Sequence, residues 1–410
     1  MAPDKAELVA RIAQTRRRPV VATKSQGSAG ASVTGPEASA NGAGDEIAAI
    51  DVFVLRHRLA RIRIYAVAAH WDRASVLVRA TDRDGRAGWG ETYLAPGVVA
   101  TVRDVAAALI GRRPVARALW AEMRWASSNS WAISALSLAI DDLHARQRGI
   151  PLSGLYGGPV RESVPAYASS TGYVEDRPLV DAWLDEADAL WAEGFRAFKL
   201  RIGRCPPSDE LAAIARLRSE RPDLEVMADA NAAYTFSQAL EVGRELGGLG
   251  LGWFEEPLPQ TGYAEYPRLA AALEIDLAGG ELIETRRQAG ELLALRAFDI
   301  VQPDVSICGG LAEARFIAEL AAIEGIRCVP HTCNGAIALA ATLQLLSVLP
   351  PDTRSPESTE PALEYDAGEN PLRTDLLTTR FVVQDGRVAI PDGPGLGVDV
   401  DPAALDRYAV

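Results

Sequence analysis

The feature that most limits what this chain can fold into is a regular alternation beyond Val164. Short apolar runs, VPAYAS, AFKLRI, EVMADA, GWFEEP, DLAGGE, DIVQPD, CVPHTC and ALEYD, are separated by segments of helical periodicity at roughly 25-residue spacing. Parallel strands need long crossovers, usually helical, because a tight turn cannot return the chain in the same direction. About eight such units in succession close a parallel sheet on itself, so the alternation predicts an α/β barrel over residues 164–365.

Three of these strands end in acids at equal intervals. Asp229 in VMADAN, Glu255 in WFEEPL and Glu281 in AGGELI are 26 residues apart at each step, one β/α unit. That register puts the three carboxylates on neighbouring strands at the C-terminal rim, where barrel active sites assemble. Clustered carboxylates repel one another unless a cation lies among them, and hard oxygen donors suit Mg²⁺. An acid after a strand also commonly caps the next helix. Three in register favour one shared site over three independent caps.

Two further groups frame that site. Of 42 cationic residues only Lys5, Lys24 and Lys199 are lysines. A GC-rich genome accounts for the arginines but not for the lysine kept inside the barrel, where an ammonium offers a compact, tunable charge. Lys199 and Arg201 in FKLRIG are two apart on a strand and point the same way, into the barrel. Asp304 in VQPDVS and His331 in VPHTCN end two later strands. A carboxylate beside an imidazole orients it and raises its basicity, as a general base requires. The other histidines, His57, His70 and His144, precede the barrel.

The rest of the chain is organised around this unit. Residues 1–45 are expected to be a disordered extension: 14 of the 20 residues from Ser25 to Gly44 are Gly, Ala or Ser, and Arg16, Arg17 and Arg18 read as a solvated charge run. Residues 46–163 predict an α+β capping domain. Its strands are IDVFVLRHRL, ASVLVRATDRDG and AGWGETYLAP, with a turn at Asp84-Gly85, and helices follow over 98–110, 115–125 and 131–148. Residues 366–410 return to hairpin texture and are expected to pack on the capping domain.

A net charge of −13 argues against nucleic acid and acidic membrane surfaces, which bind through clustered cations. No apolar stretch is long enough for a membrane span or a secretory signal, so the expected compartment is the cytoplasm. Cys205, Cys308, Cys328 and Cys333 form no C-x-x-C pair and read as reduced thiols.

The ordered set K-x-R, D-x-N, E-E-P, G-G-E, P-D and H behind an α+β unit closely resembles the enolase superfamily, and within it the mandelate racemase subgroup, over Ile47 to Val410. The resemblance implies a (β/α)7β TIM-like barrel with an α+β capping domain formed by the N-terminal region and the C-terminal tail. It implies that Asp229, Glu255 and Glu281 ligate Mg²⁺, with Asp304 and His331 as the dyad on one substrate face. Lys199 and Arg201 then stand on the other face, Asn231 touches substrate, and Glu364 in ALEYD hydrogen-bonds the substrate carboxylate. Such enzymes remove a proton α to a carboxylate through an enediolate.

One position departs from the pattern. The second residue of K-x-K is normally a proton-moving lysine, and here it is Arg201, a poor base that puts two-base racemisation in doubt. Substrate choice in the family lies largely with the loop between the first two strands, expected at Leu59–Arg73 and carrying Arg61, Arg63, Tyr65, His70, Trp71 and Arg73. The expected reaction is dehydration of a sugar acid to a 2-keto-3-deoxy acid. Cycloisomerisation of a sugar-acid lactone is the alternative, and racemisation or epimerisation the third. A barrel that has lost catalysis and serves as a binding protein is the rival of another class. The expected partners are a small-molecule carboxylate and further copies of the same chain.

Overall fold

Alternation in the first folded segment does not leave a polar face, and the structure shows why. The computed structural model describes residues 31–34, 44–169, 172–174, 177–260, 263–350 and 360–410. Strands β1 (Ala31–Thr34), β2 (Ile47–Ile64), β3 (Ala69–Asp82) and β4 (Ala87–Tyr93) form an antiparallel sheet in that order. Ile50, Val52, Val76 and Val78 pack against helices of the capping domain, while Phe53, Leu55, Leu77 and Trp89 join the main core on the other face. A sheet buried on both sides needs apolar residues on both.

Three helices cover the first face: α1 (Val98–Leu109), α2 (Ala116–Ala126) and α3 (Ser130–Arg148). The Asn129 side chain caps α3 by accepting from Ala132 N, and Gly149 ends it in the left-handed conformation at φ 66°. Helix α3 lies directly on β4 because that strand carries glycine. A Cβ on Gly90 would lie 2.0 Å from the Ala135 carbonyl oxygen, and one on Gly88 2.2 Å from Leu143 N.

The barrel follows the predicted alternation. Its strands are β5 (Ser163–Ser169), β6 (Ala197–Arg201), β7 (Glu225–Asp229), β8 (Phe254–Glu255), β9 (Leu277–Gly279), β10 (Ile300–Val301), β11 (Arg327–Cys328) and β12 (Leu363–Asp366). They pair in parallel from β5 through β11, and β12 pairs with β5 from the other side. The crossovers are helices α4 (Leu179–Ala192), α5 (Pro207–Glu220), α6 (Phe236–Gly248), α7 (Tyr266–Ala270), α8 (Arg286–Ala294), α9 (Leu311–Glu324) and α10 (Ala336–Val348). Inside the barrel Tyr167, Met227, Trp253, Ala278, Ile300 and Val329 form a separate apolar plug. Asp229, Glu255 and His331 stand two residues beyond Met227, Trp253 and Val329. The period of two thus puts polar groups on the apolar floor at the rim.

Three expectations need correction. Within the extension expected to be disordered, Ala31–Thr34 forms β1 and pairs with Ala49–Val52, covering what would otherwise be an open edge of β2; residues 1–30 and 35–43, with the arginine run, lie outside the described residues. The segment Leu59–Arg73 is not a loop. Leu59–Ile64 and Ala69–Arg73 prolong β2 and β3 across a register shift between Arg58 and Arg63, leaving a tip closed by Tyr65 N donating to Ala68 O.

The third correction concerns the C-terminal segment, which divides. Its hairpin, β13 (Val383–Gln384) and β14 (Arg387–Ala389), pairs with Ser163–Pro165 of β5, because β6 reaches only Ala168 and Ser169 and leaves the start of β5 unpaired. The last residues do reach the capping sheet, where Leu55 bridges Ala409 and Val410 N donates to Val54 O. Among the described residues no helix is long and apolar enough to cross a membrane.

Candidate active site

The rim of the barrel is covered by the capping domain, and a cavity of about 390 Å³ lies between them. Arg201, Asn231, Glu281 and His331 line it from the barrel, and Arg63, Tyr65, His70 and Arg73 from the β2–β3 hairpin. The capping domain is fastened there by specific contacts. Thr92 Oγ1 donates to Ser306 O at 2.7 Å, and the buried Glu91 carboxylate accepts from Gly335 N and Ala338 N, both at 2.9 Å, at the start of α10. Tyr173 N donates to Ile64 O and holds the hairpin tip against the loop after β5.

Lys199 and Arg201 do share a face and are buried, at 0% and 4% exposure. The β6–β7 register sets Arg201 opposite Asp229, with which it pairs, and its Nη2 donates to Ser169 Oγ at 2.9 Å. Lys199 Nζ pairs with Glu255 and lies 2.8 Å from Glu364 and 3.6 Å from Asp229. Burial works against the Lys199 ammonium, but Glu255, Glu364 and Asp229 outweigh it and hold its pKa well above the ordinary range. In this arrangement it is a fixed positive charge.

His331 and Asp304 meet as expected: Nδ1 lies 2.8 Å from Oδ2. Asp304 is held in turn by the Tyr93 hydroxyl at 2.8 Å and by Ser306 N at 2.6 Å. The other imidazole nitrogen lies 3.3 Å from Glu281 and 4.0 Å from Glu364. Burial opposes the imidazolium, yet Glu281, Glu364 and Asp304 together raise the His331 pKa well above normal.

The three acids of equal spacing stand on adjacent strands, Asp229 opposite Glu255 and Glu281 two residues past β9, but they do not converge on one point. Among the described residues no three acidic, histidine or cysteine side chains form a ready-made ligand set. Lys199 and Arg201 take up Glu255 and Asp229, and Glu281 turns to His331. The chemistry of the donors nevertheless suits a hard divalent cation. All are oxygens, and burial raises the Asp229 and Glu281 pKa values, with further repulsion from Glu255.

Glu364 lies within β12 with no exposed surface, pairs with Lys199 and accepts from Thr332 N at 3.3 Å. Asn231 lines the cavity, in the left-handed region at φ 44°, with its N donating to Asp229 Oδ1 at 2.8 Å. Sequence reading missed several neighbours. Trp253 Nε1 and Gln302 Nε2 donate to Glu255 Oε2 at 3.0 and 2.8 Å, and Tyr93 reaches Asp304 from the capping domain. Glu256 is a further buried acid at φ 38°, its pKa raised by burial and by Glu281, and the doubled acid in WFEEPL was the signal for it.

The chain is similar to known proteins over most of its length. A model described as mandelate racemase / muconate lactonizing enzyme, N-terminal domain, matches residues 49–157, and one described as enolase C-terminal domain-like matches 182–404. A D-galactarolactone cycloisomerase of Agrobacterium fabrum is 35% identical over 374 residues, covering 88% of this chain and 98% of that protein. The crystal structure of a 3,6-anhydro-D-galactonate cycloisomerase from Zobellia galactanivorans superposes with a TM-score of 0.79 at 30% identity, over 89% of this chain and 99% of that one. An L-talarate/galactarate dehydratase variant liganded with Mg and L-glucarate gives 0.79 at 26% identity, over 92% and 96%.

Proposed function

The chain belongs to the mandelate racemase / muconate lactonizing enzyme group of the enolase superfamily, and we propose that it removes the proton α to the carboxylate of a sugar acid and expels the oxygen on the β-carbon. The observation that carries this reading is that two kinds of group line one cavity. His331, in contact with Asp304, and the permanently charged Arg201 reach it from different strands. With Glu281 turned from His331 to a cation, the imidazole would lose the contact that most favours its protonated form. The dyad would then supply a proton acceptor, while a guanidinium supplies charge without proton transfer.

His331 takes the α-proton, and Asp304 stabilises the imidazolium through the Nδ1 contact. The electrons left on the substrate spread onto its carboxylate as an enediolate, near the fixed charges of Lys199 and Arg201. Asp229, Glu255 and Glu281 would hold Mg²⁺, which when bound supplies the further positive charge that makes an α-proton acidic enough to remove. Asn231 at the cavity wall orients substrate hydroxyls, and Glu364 keeps Lys199 in place. His331 then returns its proton to the departing hydroxyl, which leaves as water, and the enol so formed tautomerises, losing its hydroxyl proton and gaining one at C3, to a 2-keto-3-deoxy acid.

A second reading is favoured by the relative covered over 98% of its length, a D-galactarolactone cycloisomerase. In a lactone the β-oxygen belongs to the ring ester and leaves as a carboxylate, which needs no proton donor and suits Arg201. Action in the cytoplasm and self-association of the chain complete the proposal; light scattering checks the latter. The test is a panel of sugar acids and their lactones, incubated with the protein and Mg²⁺ in D₂O. Keto-acid formation with loss of one water supports dehydration, and formation at unchanged mass supports ring opening. Retention of every α-proton across the panel overturns both.

A further inference from the structure

Asn334 and Asn370 line the cavity, and each carries a buried polar atom with no hydrogen-bond partner among the described residues: Nδ2 of the first and Oδ1 of the second. Asn334 stands three residues past His331 in the segment after β11, and Asn370 follows β12. The two residues are only 7% and 4% exposed. A buried amide atom without a partner forfeits its hydration for nothing, so native interiors rarely keep one. Two on adjacent residues of one cavity wall point to a ligand group that answers both.

The frame around both side chains is fixed. Asn370 Nδ2 donates to Asn334 O at 3.1 Å, which ties the two residues together and settles which end of that amide is which. Only the NH₂ group can face a carbonyl oxygen, so Oδ1 is the end turned away from it. Asn370 O accepts from Arg373 N at 2.9 Å and from Thr374 N at 3.1 Å, at the start of the short helix Pro371–Thr374. Next to Asn334, Gly335 N donates to Glu91 Oε1 at 2.9 Å, and a Cβ on Gly335 would lie 2.2 Å from that oxygen, so the approach requires glycine. Amides held by such a frame are organised in advance of binding, which lowers the entropy lost when a ligand meets them.

We propose that Asn334 Nδ2 and Asn370 Oδ1 together hold one hydroxyl group of the substrate, on a carbon that does not react. The inference rests on the sugar-acid reading above and adds a stereochemical filter to it. One of the two unpaired atoms belongs to a donor and the other is an acceptor. A carboxylate would meet the donor and be repelled by Oδ1, an ammonium would do the reverse, and a carbonyl would leave Oδ1 unmet. A hydroxyl accepts through its oxygen and donates through its proton, so a single group satisfies both amides. The α-carbon gives its proton to His331 and the β-carbon loses its oxygen, which leaves the γ-carbon or one beyond it to carry the hydroxyl that is read. Inverting that centre would swing the hydroxyl away and leave both amides unpaired.

The test takes a sugar acid or lactone whose α-proton the protein removes, together with analogues in which one non-reacting hydroxyl is replaced by hydrogen, and compares kcat/KM with Mg²⁺ present. One deoxy analogue is expected to lose at least ~10²-fold, because a site built around a hydroxyl rejects the compound that lacks it. Asn334→Leu keeps similar volume without the amide. It should lose about as much on the parent compound and little on that analogue, so that the two become alike; Asn334→Ala serves where leucine is not accommodated. Use of every deoxy analogue as well as the parent by the wild-type protein overturns the inference, leaves the sugar-acid reading intact and needs no variant. An Asn334 variant that still rejects the deoxy compound also overturns it, since another residue then reads the hydroxyl. So does one that loses equally on both compounds, since the amides then brace the fold or hold a water. Absence of α-proton exchange with every sugar acid and lactone tried overturns the sugar-acid reading and this inference with it.

Discussion

His331 Nδ1 and Asp304 Oδ2 lie 2.8 Å apart although the two residues are 27 positions apart and end different strands. Tyr93 and Ser306 hold the carboxylate from two further directions, so the imidazole has one orientation open to it. We expect His331→Asn to lower kcat at least ~10²-fold, the lower range for a positioned general base. Asp304→Asn should cost less. Proton NMR of α-proton exchange in D₂O reads both. Exchange at the wild-type rate in both variants would move proton abstraction to the Lys199 side.

Glu255 accepts from Trp253 and Gln302 on one oxygen and pairs with Lys199 through the other. Glu255→Gln keeps the volume but removes the charge, so turnover should vanish while circular dichroism remains that of the folded protein. A chelator should abolish wild-type activity reversibly, with Mg²⁺ restoring it. A Gln variant with wild-type kcat in metal-limited buffer would show that Glu255 is not a ligand.

Arg201 stays protonated against Asp229, which leaves His331 as the conventional base on one side of the cavity. Exchange should therefore be stereospecific for one configuration at C2. Arg201→Lys retains the cation and introduces a group able to lose its proton, and weak exchange at the opposite epimer is the expected gain. Rapid exchange of both epimers by the unmodified protein would contradict a single base.

Burial pushes the Glu91 carboxyl up to about 7, although Ser75 Oγ donates to it at 2.6 Å and Gly335 N and Ala338 N at 2.9 Å. The unfolded carboxyl titrates near 4.5. Between these values the folded chain binds more protons than the unfolded one, so stability falls as pH rises from 4.5 toward 7 and the loss is complete above that. Its size is on the order of 3 kcal/mol. Tm measured from pH 5 to pH 8 should decline less steeply for Glu91→Gln than for the wild-type protein. Identical slopes would mean that Glu91 is ionised throughout this range.

How far the chain could be read without its structure follows from the range of each interaction. Strand alternation is local, and the eight short apolar runs became β5 to β12 because period and length alone distinguish a strand from a crossover helix. The positions of Lys199, Arg201, Asp229, Glu255, Glu281, Asp304 and His331 at one rim follow from the same regularity. Which oxygen faces which cation does not. That Lys199 would draw on Glu364 as well as Glu255, and that Glu281 would turn to His331, depends on strands distant in sequence brought within ångströms.

The β2–β3 hairpin marks the boundary most clearly. Leu59–Arg73 carries charges that read as loop surface, because nothing local announces that Asp366, some 300 residues later, will order them. Once β12 is in place its terminal carboxylate draws Arg63 and Arg73 inward and extends the two strands over the cavity. By itself the sequence determined the barrel, its capping domain and the kinds of side chain at the rim, since these rest on periodic patterns along the chain. Only the tertiary structure decided which charges meet, because charge balance in a buried site is a sum over every element that reaches it.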